Sequence, residues 1–248
     1  MGLLNQISDY IGVLNDENKK YNRDNSLFAK FFNKDKSITD SISNPFSKER
    51  NFVKFIKKYA SVEIIEHAIS TNPNIYAILD EYNIAHEYNL ENVHSIIMSH
   101  LIPCANMARK VYKNMGLKES EKDFEYLIKA ALLHDIGKAF IPSSILNKAG
   151  RLNSKERQII ELHNRLSYEI LKTTDLDIRI AELAYEHHDY NNDVERNALN
   201  QALTISDIYC ALKEKRPYKK AMNEICTKTI MYDMATKGKF DARYIIYI

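Results

Sequence analysis

Apolar residues recur along most of the chain at helical steps of three and four, and the period-two alternation of strands is scarce. The pattern predicts a nearly all-α protein. A short amphipathic helix is expected at residues 3–14, followed by polar loops at 15–23 and 37–47. Residues 52–69 carry apolar positions for one or two helices, and Asn72-Pro73 opens another that runs to about Tyr82. From about residue 90 the helices lengthen. One is expected at 90–115, kinked by Pro103, which lacks a donor and clashes one turn back, and ended by Gly116. Further helices are expected at 123–133, after Ser154 as N-cap, and through the stripes near residues 180 and 203.

Polar residues interrupt these apolar stripes at particular places. Ile97, His100, Cys104, Met107 and Val111 share one face, so His100 points inward. His163 falls between Ile159 and Leu166, and His187, followed by His188, continues Ile180, Leu183 and Ala184. Asp207 lies between Leu203 and Cys210. The stretch Ala131-Leu-Leu-His-Asp-Ile-Gly-Lys138 delivers His134 and Asp135 side by side at a helix end. If that helix continued, Lys138 would share a face with His134. One inward histidine is usually a hydrogen-bonded core residue. Several unpaired buried imidazoles and carboxylates together are costly, and a shared metal cluster satisfies them at once. His100, His134, Asp135, His163, His187, His188 and Asp207 offer enough ligands for two ions with positions left for water and substrate. The mix suits iron, manganese or zinc better than magnesium or calcium. His67 and His86 have no ligand-spaced partners and read as surface or core residues.

Composition narrows the choice. A chain of 248 residues, 45% hydrophobic and 27% charged, can bury a sizeable core. The net charge of +2 gives no electrostatic reason to expect a nucleic-acid polymer or a membrane surface as partner. Cys104, Cys210 and Cys226 form no paired motif, which speaks against a disulfide framework or a thiolate zinc site and for a reducing, cytoplasmic location. No apolar run is long enough to span a bilayer, and no charged-then-apolar leader is evident.

The stretches HDIGKAFIPSSILNKAGRL (134–152), ELHNRLSYEIL (161–171), EHHD (186–189), ISDIYCALKEKRPYKKAM (205–222) and GKFD (238–241) resemble, in order and in much of their spacing, the HD superfamily and specifically its HD-GYP branch. The resemblance implies an all-α HD-domain helical bundle over residues 86–248, with residues 1–85 as a smaller helical module of regulatory or dimerising role. It implies metal-dependent hydrolysis of a cyclic dinucleotide, with cyclic di-GMP the best-known substrate of that branch. It makes His100 the first ligand, His134 the second and Asp135 the bridge. It gives His163, His187 and His188 to the other metal, and Asp207 closes the first site. Lys138 resembles the family's phosphate-contacting lysine. His94 competes with His100 for the first position, but His100 reproduces the family's spacing to Met115-Gly-Leu117.

Three departures from that pattern matter. The Asp-Gly-x-Gly-Tyr-Pro loop is replaced by a short Asp189-Tyr-Asn-Asn-Asp193. Ile96 stands where trinuclear members carry Glu, which favours two metals, and Cys210 replaces the second Asp of the D-x-x-D motif. Arg216 is expected to be structural. The alternatives are a phosphohydrolase or oxygenase of the wider superfamily acting on another substrate, such as a nucleotide, or a silent signalling module. Silent relatives lose their ligands, whereas all seven are kept here.

Overall fold

The computed structural model describes residues 45–116, 121–188, 197–214 and 221–248, and among them there is no strand. The expected helix at 3–14 and the loop at 15–23 lie outside the described residues, as do the short loop after His188 and Arg216.

The segment at 52–69 is two helices, α1 (Pro45–Tyr59) and α2 (Val62–Thr71). Pro45 suits the first helical position, where no amide hydrogen is needed, so the loop expected at 37–47 gives way to helix at its end. Ser61 caps α2 by accepting from the Ile64 amide. Helix α3 (Asn74–Glu81) follows Pro73. Contacts join Glu49–Ile248 into one compact unit. Helices α2 and α3 rest on the later helix α8 (Ser154–Leu171), where the Asn72 side-chain amide donates to the Glu169 backbone carbonyl at 2.9 Å and to its carboxylate at 2.6 Å.

The helix expected at 90–115 is three pieces. They are α4 (Glu91–His94), a π-turn (Ile97–Leu101) and α5 (Ile102–Asn114). Pro103 crowds the carbonyl one turn before it, and the chain responds by inserting a residue upstream. The Leu101 amide reaches Ile96 O at 3.1 Å and the Ile102 amide reaches Ile97 O. This wider turn buries Ile97, His100 and Leu101 together. Gly116, at φ +62°, takes the left-handed conformation beyond the end of α5.

Helix α6 (Glu121–Leu133) stops before His134, and a 3-10 turn (Ile136–Phe140) follows. The helix does not continue to Lys138, so that residue meets Asp135 and is not stacked over His134. Beyond the short α7 (Ser143–Leu146), α8 is capped by Asn153, not Ser154. Asn153 Oδ1 accepts from the Glu156 amide at 2.9 Å, and the Glu156 carboxylate accepts from the Asn153 amide at 2.8 Å. Helices α9 (Ile178–Glu186), α10 (Ala198–Lys213) and α11 (Glu224–Thr236) precede a terminal 3-10 turn (Ala242–Tyr247).

Helix α5 packs on α6 and α10, and α9 packs on α6 and α8. Helix α10 is central. Every residue from Leu199 to Ile208 is buried, which explains its apolar surround and makes Asp207 a charge in the core. The tightest approach lies between the 3-10 turn and α8. A Cβ on Gly137 would stand 2.1 Å from His163 O, 2.7 Å from Ser167 N and 2.9 Å from Leu166 Cβ. Gly137→Ala should therefore push the turn off α8, costing about 1–3 kcal/mol or more and lowering the melting midpoint by about 2–4 °C per kcal/mol. A thermal melt by circular dichroism checks this, and a midpoint within about 1 °C of the parent would show that the contact relaxes freely.

Candidate metal centre

Five elements of the fold converge on one point. The π-turn brings His100, the end of α6 brings His134 and Asp135, mid-α8 brings His163, the end of α9 brings His187 and His188, and α10 brings Asp207. His100, His134, Asp135, His163, His187 and Asp207 are all buried. His94, the competing first position, lies apart, with Nε2 2.8 Å from Ala60 O.

Asp135 sits between two groups of bases. Its Oδ1 is 3.3 Å from His163 Nε2, while its Oδ2 is 3.5 Å from both His100 Nε2 and His134 Nε2. Asp207 Oδ1 lies 3.0 Å from His100 Nε2 and 3.6 Å from His134 Nε2, and its Oδ2 lies 4.0 Å from His188 Nε2. Potential ligand atoms gather within 4.8 Å of one another in the sets His163–His187–His188, His100–His134–Asp207 and His134–Asp135–His187.

Backbone contacts fix how three of the rings present themselves. Nδ1 of His134, His163 and His187 lies 3.0, 2.6 and 2.6 Å from the carbonyls of Ala131, Ile160 and Ala184. A carbonyl only accepts, so each Nδ1 carries the hydrogen and, in the neutral ring, each Nε2 turns a lone pair to the centre. His163 Nε2 and His187 Nε2 are then two acceptors 3.3 Å apart. His134 Nε2 is buried without a hydrogen-bond partner. A cation between such groups satisfies all of them, so the residues fit a metal centre.

The electrostatics agree. Burial lowers His163 to about 3 against the pull of Asp135. Burial, then the neighbouring histidines, holds His187 well below its ordinary value, and burial lowers His188. These three imidazoles are neutral at pH 7. Burial would raise Asp135, but Lys138, then His134, His163 and His100, holds its carboxyl well below the usual range. Asp207 is likewise held low, against burial, by His100 and His134. Burial would lower His134, yet Asp135 and Asp207 outweigh it and raise the ring: the two carboxylates call for positive charge there.

Two members are less enclosed. The side chains of Lys138 and His188 are 18% and 27% exposed, against 0–10% for the rest. They are the members of the cluster that solvent reaches most easily. Lys138 Nζ lies 2.6 Å from Asp135 Oδ2. Sequence reasoning missed the residues that hold the backbone here. Ser167 Oγ donates to His134 O at 2.6 Å and accepts from the Gly137 amide at 2.9 Å. Asn92 Nδ2 donates to Lys138 O at 3.1 Å and to Ile141 O at 2.9 Å. Neither breaks a hydrophobic pattern in a way that marks it. Cys210, in place of the expected Asp, combines with burial to push the Cys104 thiol well above its ordinary value.

The lowered histidines set a pH dependence. Between pH 6.5 and about 3 the unfolded chain binds a proton at His163 that the folded chain does not. Stability is therefore full above 6.5 and falls as pH drops, with a limiting slope of about 1.4 kcal/mol per pH unit for each such group. His187 and His188 add to this, while the raised His134 opposes it. Urea unfolding of chelator-treated protein should show stability falling between about pH 7 and 5, and His163→Gln should flatten that fall. An unaltered slope would remove His163 from the buried neutral set.

Residues 86–244 match the family model described as HD domain. Among curated proteins, the chain is 31% identical over 153 residues to the cyclic di-GMP phosphodiesterase response regulator RpfG of Xanthomonas campestris, covering 57% of this chain and 39% of that one. It is 34% identical over 113 residues to the 3'3'-cGAMP-specific phosphodiesterase 3 of Vibrio cholerae, covering 42% and 24%. It is 28% identical over 159 residues to a cyclic di-GMP phosphodiesterase of Thermotoga maritima, covering 58% and 41%. The chain thus spans less than half the length of these relatives. With the matched region taking in all seven converging residues, the chain belongs to the HD domain family.

Proposed function

We propose that the chain is a metal-dependent phosphodiesterase that hydrolyses a cyclic dinucleotide, with cyclic di-GMP the favoured substrate. The observation that carries this reading is the placement of Asp135, one carboxylate oxygen toward His163 and the other toward His100 and His134. Such a placement would suit a carboxylate shared between two ions. His100, His134 and Asp207 would hold one, and His163, His187 and His188 the other. Five imidazoles with two carboxylates favour iron or manganese, with zinc also compatible. Such a pair, when bound, activates water and offsets charge on a phosphodiester.

The protein's own groups do the rest. Nδ1–H bonds to helix carbonyls aim His134, His163 and His187, so their Nε2 atoms need no reorganisation. Lys138, partly exposed beside Asp135, can exchange that contact for a phosphate oxygen and supply positive charge as negative charge builds. The names of the similar proteins, which include cyclic di-GMP and 3'3'-cGAMP phosphodiesterases, support the substrate class. The absence of the Gly-Tyr-Pro sequence after His188 supports a second reading, an HD phosphohydrolase acting on another nucleotide.

Two variants separate the roles. Parent protein purified without oxygen should carry about two transition-metal ions per chain. Asp135→Ala should release both. Lys138→Ala should keep them and lose about 100- to 1,000-fold in kcat, the range for removing one charge-stabilising group. Metal analysis beside turnover decides. Full metal in Asp135→Ala would refute the bridge, and metal loss in Lys138→Ala would make that lysine structural.

Specificity gives a further expectation. Phosphate and metal contacts are indifferent to base identity, and a short loop supplies few base contacts. Each absent base hydrogen bond removes about 1 kcal/mol of discrimination, so kcat/KM for cyclic di-GMP, cyclic GMP-AMP and linear pGpG should agree within about tenfold. A preference for cyclic di-GMP above about a thousandfold would place base recognition elsewhere in the fold. No turnover of any of them by metal-loaded protein would favour the second reading.

A further inference from the structure

We infer that Ser167 is the positioning residue for the bridging carboxylate, setting where Asp135 stands between the two halves of the centre. This rests on the metal-centre reading above. Ser167 is fully buried and lies on α8 four residues after His163, on the same face. Its hydroxyl donates to the carbonyl of His134 at 2.6 Å and accepts from the amide of Gly137 at 2.9 Å. Those groups flank Asp135 on either side.

The need for this hydroxyl follows from how α6 ends. In a continuing α-helix the His134 carbonyl would accept from the Lys138 amide, and the Gly137 amide would donate to the Leu133 carbonyl. Instead the Lys138 amide turns to Asp135 O at 2.9 Å, the tighter bond of the 3-10 turn. One buried acceptor and one buried donor are left over, and a single atom on a neighbouring helix serves both. Where Gly137 meets α8, a hydroxyl both donates and accepts from one atom, which a thiol does only weakly. The same helix thus presents His163 to Asp135 Oδ1 and clamps the backbone that carries Asp135.

The consequence is asymmetric. His134 keeps its own anchor within α6 through Nδ1 and Ala131 O. Its partners Asp207 and His100 stand on other elements. Removal of the Ser167 hydroxyl leaves that half in place. What loosens is the register between Asp135 and α8, and with it the share of the bridge given to His163, His187 and His188.

The test is stepwise Mn(II) binding to the chelator-treated full chain by calorimetry, with electron paramagnetic resonance to read exchange coupling between the ions. In the parent, two ions should bind and couple. In Ser167→Ala, the affinity for one ion should fall about 10- to 100-fold, the range for lost supporting hydrogen bonds around metal ligands. The other should stay within about threefold, and the coupled signal should weaken. Thr227→Val serves as control. It removes another fully buried hydroxyl, which donates to the carbonyl of Asn223, the residue capping α11, and should change stability without touching either affinity. Ser167→Cys, a weaker donor of similar size, should fall between parent and Ser167→Ala and keeps the test open if the alanine variant does not fold. Two ions with parental affinities and coupling in the folded Ser167 variants would overturn this inference alone. A parent chain that binds no ions would overturn the metal-centre reading and this inference with it.

Discussion

A carboxylate inside a helical core is tolerated only where cations and donors surround it. Asp135 is almost wholly buried, and the fold around it is arranged as that constraint demands. Lys138 approaches one oxygen from the turn that follows, and His100, His134 and His163 approach from three separate elements. Asp207 adds a second buried carboxylate on the central helix. No single helix could supply this surround. The π-turn, α6, α8, α9 and α10 must all end or pass within reach of one point, so the packing of the bundle and the electrostatics of its centre are one requirement.

That requirement fixes the backbone more tightly than the side chains. The 3-10 turn comes so close to α8 that Gly137 has no room for a Cβ, and the groups left unpaired by the end of α6 are taken up by Ser167. Asn92 holds the far end of the same turn through Lys138 O and Ile141 O, and Ser143 in turn donates to Asn92 Oδ1 at 2.8 Å. The turn carrying Asp135 and Lys138 is thereby tied to α4, α7 and α8. A site held this way keeps its geometry without help from the ligands it binds.

The inward histidines were legible because periodicity needs only the sequence: a polar residue on an apolar face must be buried wherever the helix goes. His100, His163, His187 and Asp207 were found in that way. What periodicity does not carry is a change of helical type. The π-turn before Pro103 and the 3-10 turn after Asp135 depend on which carbonyl each amide reaches, a choice made by packing. Hence Lys138 was expected over His134 and instead meets Asp135. The cap of α8 moved by one residue for a local reason, since Asn153 and Glu156 satisfy each other. The choice between His94 and His100 rested on family spacing, and only the fold shows His94 turned to Ala60 O. Ser167 left no mark because its role belongs to another segment's unpaired groups.

The composition of the centre also bears on what it attracts. Imidazoles provide ligand atoms without negative charge, and burial keeps His163, His187 and His188 neutral at pH 7. Only Asp135 and Asp207 bring formal negative charge, and Lys138 offsets part of it. Two divalent ions held by such a set would be incompletely neutralised, leaving a positive centre beside the partly exposed Lys138 and His188. A carboxylate-rich cage would hold its ions as tightly and repel a phosphodiester. On the proposed reading, the histidine-rich set would draw an anion inward, and Lys138 would leave Asp135 for that anion as it arrives. Binding dominated by such a field would recognise phosphate geometry first and bases second.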